Sequence, residues 1–170
     1  MQVVTSVLVA YESPTYPIGA PPPGTPARVF VWDDPNNDAN PRDAVLLAAV
    51  NTIVQNPGTD ILNEVPVPPT YVGPVGDWFF IGASSNQAPG EEPAAIDLST
   101  LPSSQAWIAG SNTPGGFDPN NLMGGIGLYR LTGYFVGDWL LRANAVPEPL
   151  AALLPLAAFV LWPIRRSTPT

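Results

Sequence analysis

Proline and glycine restrict the fold of this chain more than any other feature, because its 170 residues include 23 prolines and 15 glycines. Both residues interrupt helices, and both are frequent in turns. Hydrophobic residues make up 45% of the chain, so a core can still be buried. The combination predicts short strands joined by turns rather than packed helices.

Several segments between the turns are rich in β-branched and aromatic residues, which predicts strands. The first ten residues are apolar and lack both basic residues and a cleavage site, so they predict a strand rather than a signal peptide. Residues 44–54 could also form a helix, but the β-branched residues 52–54 favour a strand. The remaining predicted strands are 28–32, 61–67, 77–83, 105–109 and 138–143.

This pattern of short strands and turns is typical of an antiparallel β-sandwich, and we expect an all-β, jelly-roll-like domain over residues 1–145. Pro66 and Pro68 put the strand 61–67 at a sheet edge, since proline cannot donate to a ladder. The aromatic run in 77–83 predicts a strand buried on both faces. Val146 and the residues after it are expected to lie beyond the last strand.

Charge and composition exclude several kinds of function. The formal net charge is −8, from 14 acidic residues against six arginines, so nucleic acid is not an expected partner. Histidine and cysteine are absent from the sequence, which excludes Ser-His and Cys-His nucleophiles and the usual zinc sites. An enzyme would have to use carboxylates alone. Adjacent residues of a strand point to opposite faces, so Glu91 and Glu92 indicate a solvated loop rather than a catalytic pair. We therefore predict that the chain is not an enzyme.

An Asp- and Asn-rich loop after the strand 28–32 is a candidate Ca²⁺ site. Oxygen ligands at alternate residues allow one loop to wrap around a hard cation. The spacing resembles the first half of an EF-hand loop, but Ala39 replaces the turn glycine and Val45 the bidentate glutamate. A plain turn made by the same residues is the alternative. The candidate ligands are Asp34, Asn36, Asp38, Asn40 and Asp43.

Aromatic side chains could form a sugar-binding platform, although core packing is the default for aromatics within strands. An exposed row of them on one sheet face would favour the platform. Gly76-Asp77-Trp78 and Gly137-Asp138-Trp139 share a signature, which we interpret as recurrent turn chemistry rather than a repeat. The platform candidates are Trp32, Trp78, Trp107, Trp139, Tyr129 and Tyr134.

The C-terminal residues 146–170 form a separate segment. Val146-Pro147-Glu148-Pro149 predicts an extended hinge, and the uncharged residues 150–164 follow it directly. As a helix they would span about 22 Å, against about 30 Å of hydrocarbon, so we predict a short transmembrane helix. Arg165 and Arg166 would hold its end in the cytoplasm. A helix buried against the sheet is the alternative, but residues 150–164 offer no polar outer face.

About the last 25 residues resemble the PEP-CTERM sorting domain. They contain this motif, the apolar segment and the two arginines, in that order. The resemblance implies that an exosortase recognises Pro147, Glu148 and Pro149 and that Arg165 and Arg166 are the stop signal. It also implies release near the motif and an association with exopolysaccharide or biofilm. Because such proteins normally carry a signal peptide, we expect that the start of this chain is truncated.

The sequence therefore predicts an exported, non-enzymatic surface or extracellular-matrix protein, anchored and sorted through its C-terminus. Before processing it would lie in the inner membrane with a cytoplasmic C-terminus, and afterwards at the cell surface or outside the cell. One alternative is a carbohydrate-binding module of the exopolysaccharide matrix. The other is a fragment of a secreted hydrolase, which paired carboxylates upstream would favour. Apart from calcium, no cofactor is expected.

Overall fold

The computed structural model describes residues 2–11, 19–88, 91–99 and 103–147. These residues form antiparallel strands and two single-turn 3-10 helices, Pro41–Asp43 and Leu131–Gly133, so the all-β prediction is confirmed. The strands are β1 (Gln2–Val9), β2 (Pro26–Asp33), β3 (Val45–Ile53), β4 (Asn63–Tyr71), β5 (Phe79–Ser85), β6 (Ile96–Asp97), β7 (Trp107–Ala109), β8 (Leu128–Arg130), β9 (Asp138–Trp139) and β10 (Leu141–Pro147).

Two three-stranded sheets, ordered β10-β1-β4 and β3-β2-β5, contribute side chains to one apolar core in a sandwich-like arrangement. Two short ribbons, β6-β9 and β7-β8, accompany them. Strand β2 supplies Val29 and Val31 to the common core. Because strand side chains alternate between faces, Phe30 and Trp32 point the other way and form a second, smaller core.

Strand β1 contributes valines at both even and odd positions to the common core. Val4, Val7 and Val9 are all fully buried, although an unbroken strand would point Val4 away from the other two. The register with both neighbouring strands shifts between Val4 and Ser6, as at a β-bulge. The extra residue reverses the alternation, so the bulge brings the three valines to one face.

Several strand predictions are confirmed. The ambiguous segment 44–54 forms β3, and the proline-containing β4 lies at a sheet edge. The expectation that residues 77–83 are buried on both faces is wrong, since every residue of β5 is only half-buried. Strand β5 pairs with β2 alone, so its other edge is not covered by the sheet.

The final strand differs from the prediction at its C-terminal end. Strand β10 continues through Val146 and Pro147, which pair with Val3 and Gln2 of β1, so these two residues do extend the strand. A proline is tolerated there because β10 is an edge strand and needs no donor on its outer side. None of the helices in the described residues is long and apolar enough to cross a membrane, and the predicted helix 150–164 lies outside those residues.

A polar network joins the three strands of the first sheet. The buried hydroxyl of Ser6 on β1 donates to Glu64 on β4 at 2.6 Å, and the amide of Asn144 on β10 donates to the same carboxylate at 2.9 Å. These two hydrogen bonds favour the ionised form, so they lower the pKa of Glu64 below its ordinary value of 4.5.

We predict that Asn144→Ala raises the pKa of Glu64 toward 4.5, because it removes one donor to the carboxylate. A lowered pKa in the folded state stabilises the protein above the unfolded-state pKa, and that stability is lost as the pH falls through the folded-state pKa. The variant should therefore lose less stability on acidification than the wild type. NMR titration of the Glu64 carboxyl carbon measures the shift, and an unchanged pKa would contradict the prediction.

Candidate functional site

An aromatic cleft of about 370 Å³ borders strand β5. Side chains from β2, β5, β7 and β9 meet there, together with the turn around Phe117. All four tryptophans that the sequence analysis considered for a sugar platform line this cleft: Trp32, Trp78, Trp107 and Trp139.

The second core forms the floor of the cleft. It lies on the face of β2 that points away from the common core. The rings of Phe30 and Trp32 lie 5.1 Å apart, and Phe117 meets Phe30 edge-on at 5.6 Å. The indole N–H of Trp32 donates to the carbonyl of Pro119 at 2.7 Å, which ties the turn 117–121 to the strand. Trp32 is therefore a buried packing residue, as core packing predicts.

The other three tryptophans lie at more open positions. Trp78 exposes 47% of its surface, while Trp107 and Trp139 are half-buried. Trp139 donates its indole N–H to the carbonyl of Trp107 at 2.9 Å, and the guanidinium of Arg130 stacks over the Trp107 ring at 4.8 Å. The exposed pair Tyr129 and Tyr134 is not among the lining residues. The arrangement is a walled cleft rather than a flat aromatic row.

Polar groups in the cleft are few. The indole N–H of Trp107 is buried and has no hydrogen-bond partner among the described residues. Asp138 is the one acidic residue among the described residues that line the cleft, and its carboxylate accepts hydrogen bonds from the backbone N–H and hydroxyl of Ser103. Hydrolysis by paired carboxylates needs a second acid within about 10 Å. The cleft thus offers aromatic surface and a few hydrogen-bonding groups.

Glu91 and Glu92 are not among the residues that line the cleft. Glu91 accepts a hydrogen bond from the backbone N–H of Ala88 at 2.7 Å. Glu92 is half-buried, and this burial raises the pKa of its carboxyl group. The Glu91 carboxylate therefore acts within its own loop.

The Asp- and Asn-rich loop follows β2 directly. One carboxylate oxygen from each of Asp34, Asp38 and Asp43 lies within 4.8 Å of the other two, so the structure brings together three of the five predicted ligands. The oxygen of Asn36 accepts from the backbone N–H of Asp38, and that of Asn40 accepts from Arg42. Both asparagines therefore shape the turn.

Two residues of this loop have left-handed backbone conformations, Asn37 at φ 56° and Ala39 at φ 60°. Ala39 occupies the position at which the EF-hand pattern has glycine, and the chain turns there without one. The amide oxygen of Asn37 accepts the backbone N–H of Trp78 at 2.7 Å. The loop is thus joined to the aromatic cleft.

The predicted sorting motif is only partly described. Val146 and Pro147 belong to β10, whereas Glu148, Pro149, Arg165 and Arg166 lie outside the described residues. The role of all six residues stays a prediction.

Sequence reasoning did not find the cleft, although two signals for it were present. Gly76-Asp77-Trp78 and Gly137-Asp138-Trp139 each begin with a glycine at positive φ, 106° and 137°, and each delivers a tryptophan to the cleft. The second signal is the alternation of valines with aromatics in β2. Neither signal shows by itself that distant segments converge.

No family model matches this sequence, and no curated protein or solved structure is significantly similar to it.

We predict that Gly82→Ala destabilises the protein and disturbs the cleft. Gly82 lies opposite Phe30 in the register, and a Cβ atom there would come within 2.7 Å of the buried Trp32 ring. Overpacking of this kind costs about 1–3 kcal/mol of unfolding free energy. Gly133→Ala is the matched control, because its Cβ would meet nothing within 4 Å. Urea denaturation measures both variants, and equal stabilities would contradict the prediction.

Proposed function

We propose that this protein is an exported, non-enzymatic surface or extracellular-matrix protein, sorted through residues 146–170. The observation that carries the proposal is the order of the C-terminal elements: a proline-glutamate-proline motif, an uncharged apolar segment of 15 residues and two arginines. This order resembles the PEP-CTERM sorting domain, whose processing enzyme is an exosortase. Residues 1–145 are then a jelly-roll-like β-sandwich ectodomain.

The cleft supports binding rather than catalysis. Its described lining has one acid, Asp138, and that carboxylate is already bonded to Ser103. Eight of the other described lining residues are aromatic. Such a site can hold a ligand by contact and hydrogen bonding, whereas the carboxylate chemistry open to a protein without histidine or cysteine requires a second acid.

We predict that reversing both charges at the C-terminus, Arg165→Glu with Arg166→Glu, disturbs retention of the protein in the membrane. Cytoplasmic arginines fix the orientation of a membrane segment, and glutamates do not replace them. Arg142→Glu is the matched control, because it reverses an exposed arginine of β10 within the ectodomain. Membrane and soluble fractions are compared by immunoblotting. Unchanged fractionation of the double variant would contradict the anchor.

Intact-mass analysis of the protein from its native host tests processing separately. Release by the sorting enzyme predicts a secreted form whose C-terminus lies near residues 146–149. A membrane-bound form that ends at Thr170 would contradict processing and leave a permanent anchor.

Carbohydrate recognition in the aromatic cleft is the second candidate function. A specific observation favours it, namely that Trp32, Trp78, Trp107 and Trp139 border one cavity of about 370 Å³. Small-ligand sites are typically about 300–1,000 Å³ and combine apolar walls with a few polar groups. Tryptophan rings can stack on the apolar faces of sugars.

We predict that Trp78→Ala weakens binding of the host exopolysaccharide roughly tenfold, or about 1.4 kcal/mol. Trp78 is the most open of the four rings, so its removal should take away a ligand contact with little effect on folding. Tyr71→Ala is the control, since Tyr71 is 45% exposed and not among the lining residues of the cleft. Affinity electrophoresis and calorimetry compare the variants. Equal binding by wild type and Trp78→Ala would exclude the cleft as the sugar site.

A further inference from the structure

The loop after β2 concentrates negative charge. One oxygen from each of Asp34, Asp38 and Asp43 lies within 4.8 Å of the other two, and like charges at that distance repel one another. Asp38 and Asp43 are exposed, so water screens part of this repulsion. Proximity alone does not make a metal site, and the environment of Asp34 supplies the second observation.

Asp34 has a buried carboxylate, and only one of its two oxygens accepts a hydrogen bond. Its exposed fraction is 4%, and its Oδ2 accepts the backbone N–H of Ala39 at 2.7 Å. Its Oδ1 is also buried and has no hydrogen-bond partner among the described residues. A buried charged oxygen without a partner is costly, and native structures usually satisfy it. The Asp34 carboxylate forms part of the three-oxygen cluster, where a cation would provide the missing partner.

A second turn in the same chain shows that the burial and the unpartnered oxygen of Asp34 do not follow from the local sequence. Residues 34–37 and 118–121 are both Asp-Pro-Asn-Asn. In the second turn Asp118 is exposed, and its Oδ1 accepts the backbone N–H of Asn120 at 2.9 Å. The tetrapeptide therefore makes an ordinary Asp turn at 118. At 34 the Asp side chain is buried, has one oxygen without a partner and lies beside two further carboxylates.

We propose that Asp34, Asp38 and Asp43 bind a calcium ion. Carboxylate oxygens are ligands for hard cations, and Ca–O distances of about 2.3–2.6 Å let two ligands of one ion lie up to about 5 Å apart. Magnesium usually binds through one or two carboxylates and keeps several of its waters, so a cluster of three carboxylates suits calcium better. Water and backbone carbonyls complete the six to eight ligands that calcium takes.

The ion would also order one wall of the cleft. Asn37 lies between two of the ligands, and its amide oxygen accepts the backbone N–H of Trp78 at 2.7 Å. The buried Pro41, between Asp38 and Asp43, is itself a lining residue of the cleft. A cation that fixes the loop through Asp34, Asp38 and Asp43 thus fixes the backbone of Trp78. This coupling is independent of what the cleft binds.

Calorimetry of the full-length, chelator-treated protein in detergent micelles tests the site, with CaCl₂ and MgCl₂ as titrants. We expect a calcium Kd below about 1 mM, the range of extracellular modules, a rise in Tm and weaker magnesium binding. Asp38→Asn with Asp43→Asn should weaken calcium binding at least tenfold, and both residues are exposed, so the fold should persist. Asp118→Asn should bind calcium as the wild type does.

Two results would overturn the site. One is the absence of both heat and a Tm shift in the wild type at about 10 mM calcium, well above the expected range. The other is an equal calcium Kd in the wild type and in the Asp38→Asn, Asp43→Asn double variant.

Tryptophan emission tests the coupling without any carbohydrate present. Calcium should change the emission of the wild type, and Trp78→Phe should remove most of that change. Asn37→Ala should keep the calcium Kd within a few-fold but also abolish the change, because it removes the link to Trp78. A change that persists in either variant, or no change despite calcium binding, would overturn the coupling and leave the ion site intact.

Discussion

Strand β2 is buried on both faces and paired on both edges, and both apolar cores depend on it. Val29 and Val31 enter the core shared by the two sheets, while Phe30 and Trp32 form the floor of the cleft. Burial of each such side chain contributes about 1.5–3 kcal/mol, so this strand makes a large contribution to stability. The Trp32 bond to Pro119 then holds the later turn against the sheet.

The end of β2 positions the acidic loop. Asp33 is the last paired residue, and Asp34 follows it into a buried position beside the turn that it helps to form. The left-handed backbone at Asn37 and Ala39 then reverses the chain, and Pro41 packs against the cleft. The loop and the cleft are therefore neighbouring parts of one region. A change at either one can reach the other through Asn37 and Trp78.

Strand β10 connects the folded unit to the C-terminal segment. Val146 and Pro147 belong to the predicted sorting motif and are also the last residues paired with β1. Under the proposed sorting role, the processing enzyme would meet a motif whose first two residues are held by the sheet. Access to it would then depend on how readily the edge strand frays, and fraying is easiest at a strand terminus.

The sequence by itself determined the all-β class, most strand positions and the loop that carries the acidic cluster. Period-two patterns and turn residues act locally, so residues such as Val29 and Phe30 indicate a strand without knowledge of the rest. The tertiary structure alone decided the bulge in β1, the half-burial of β5 and the extension of β10 to Pro147. It also decided that Trp78 and Trp107 meet in one cleft and that Asp34 keeps a buried, unpartnered oxygen while Asp118 does not. These features depend on contacts between distant segments, and local sequence does not encode which segments meet.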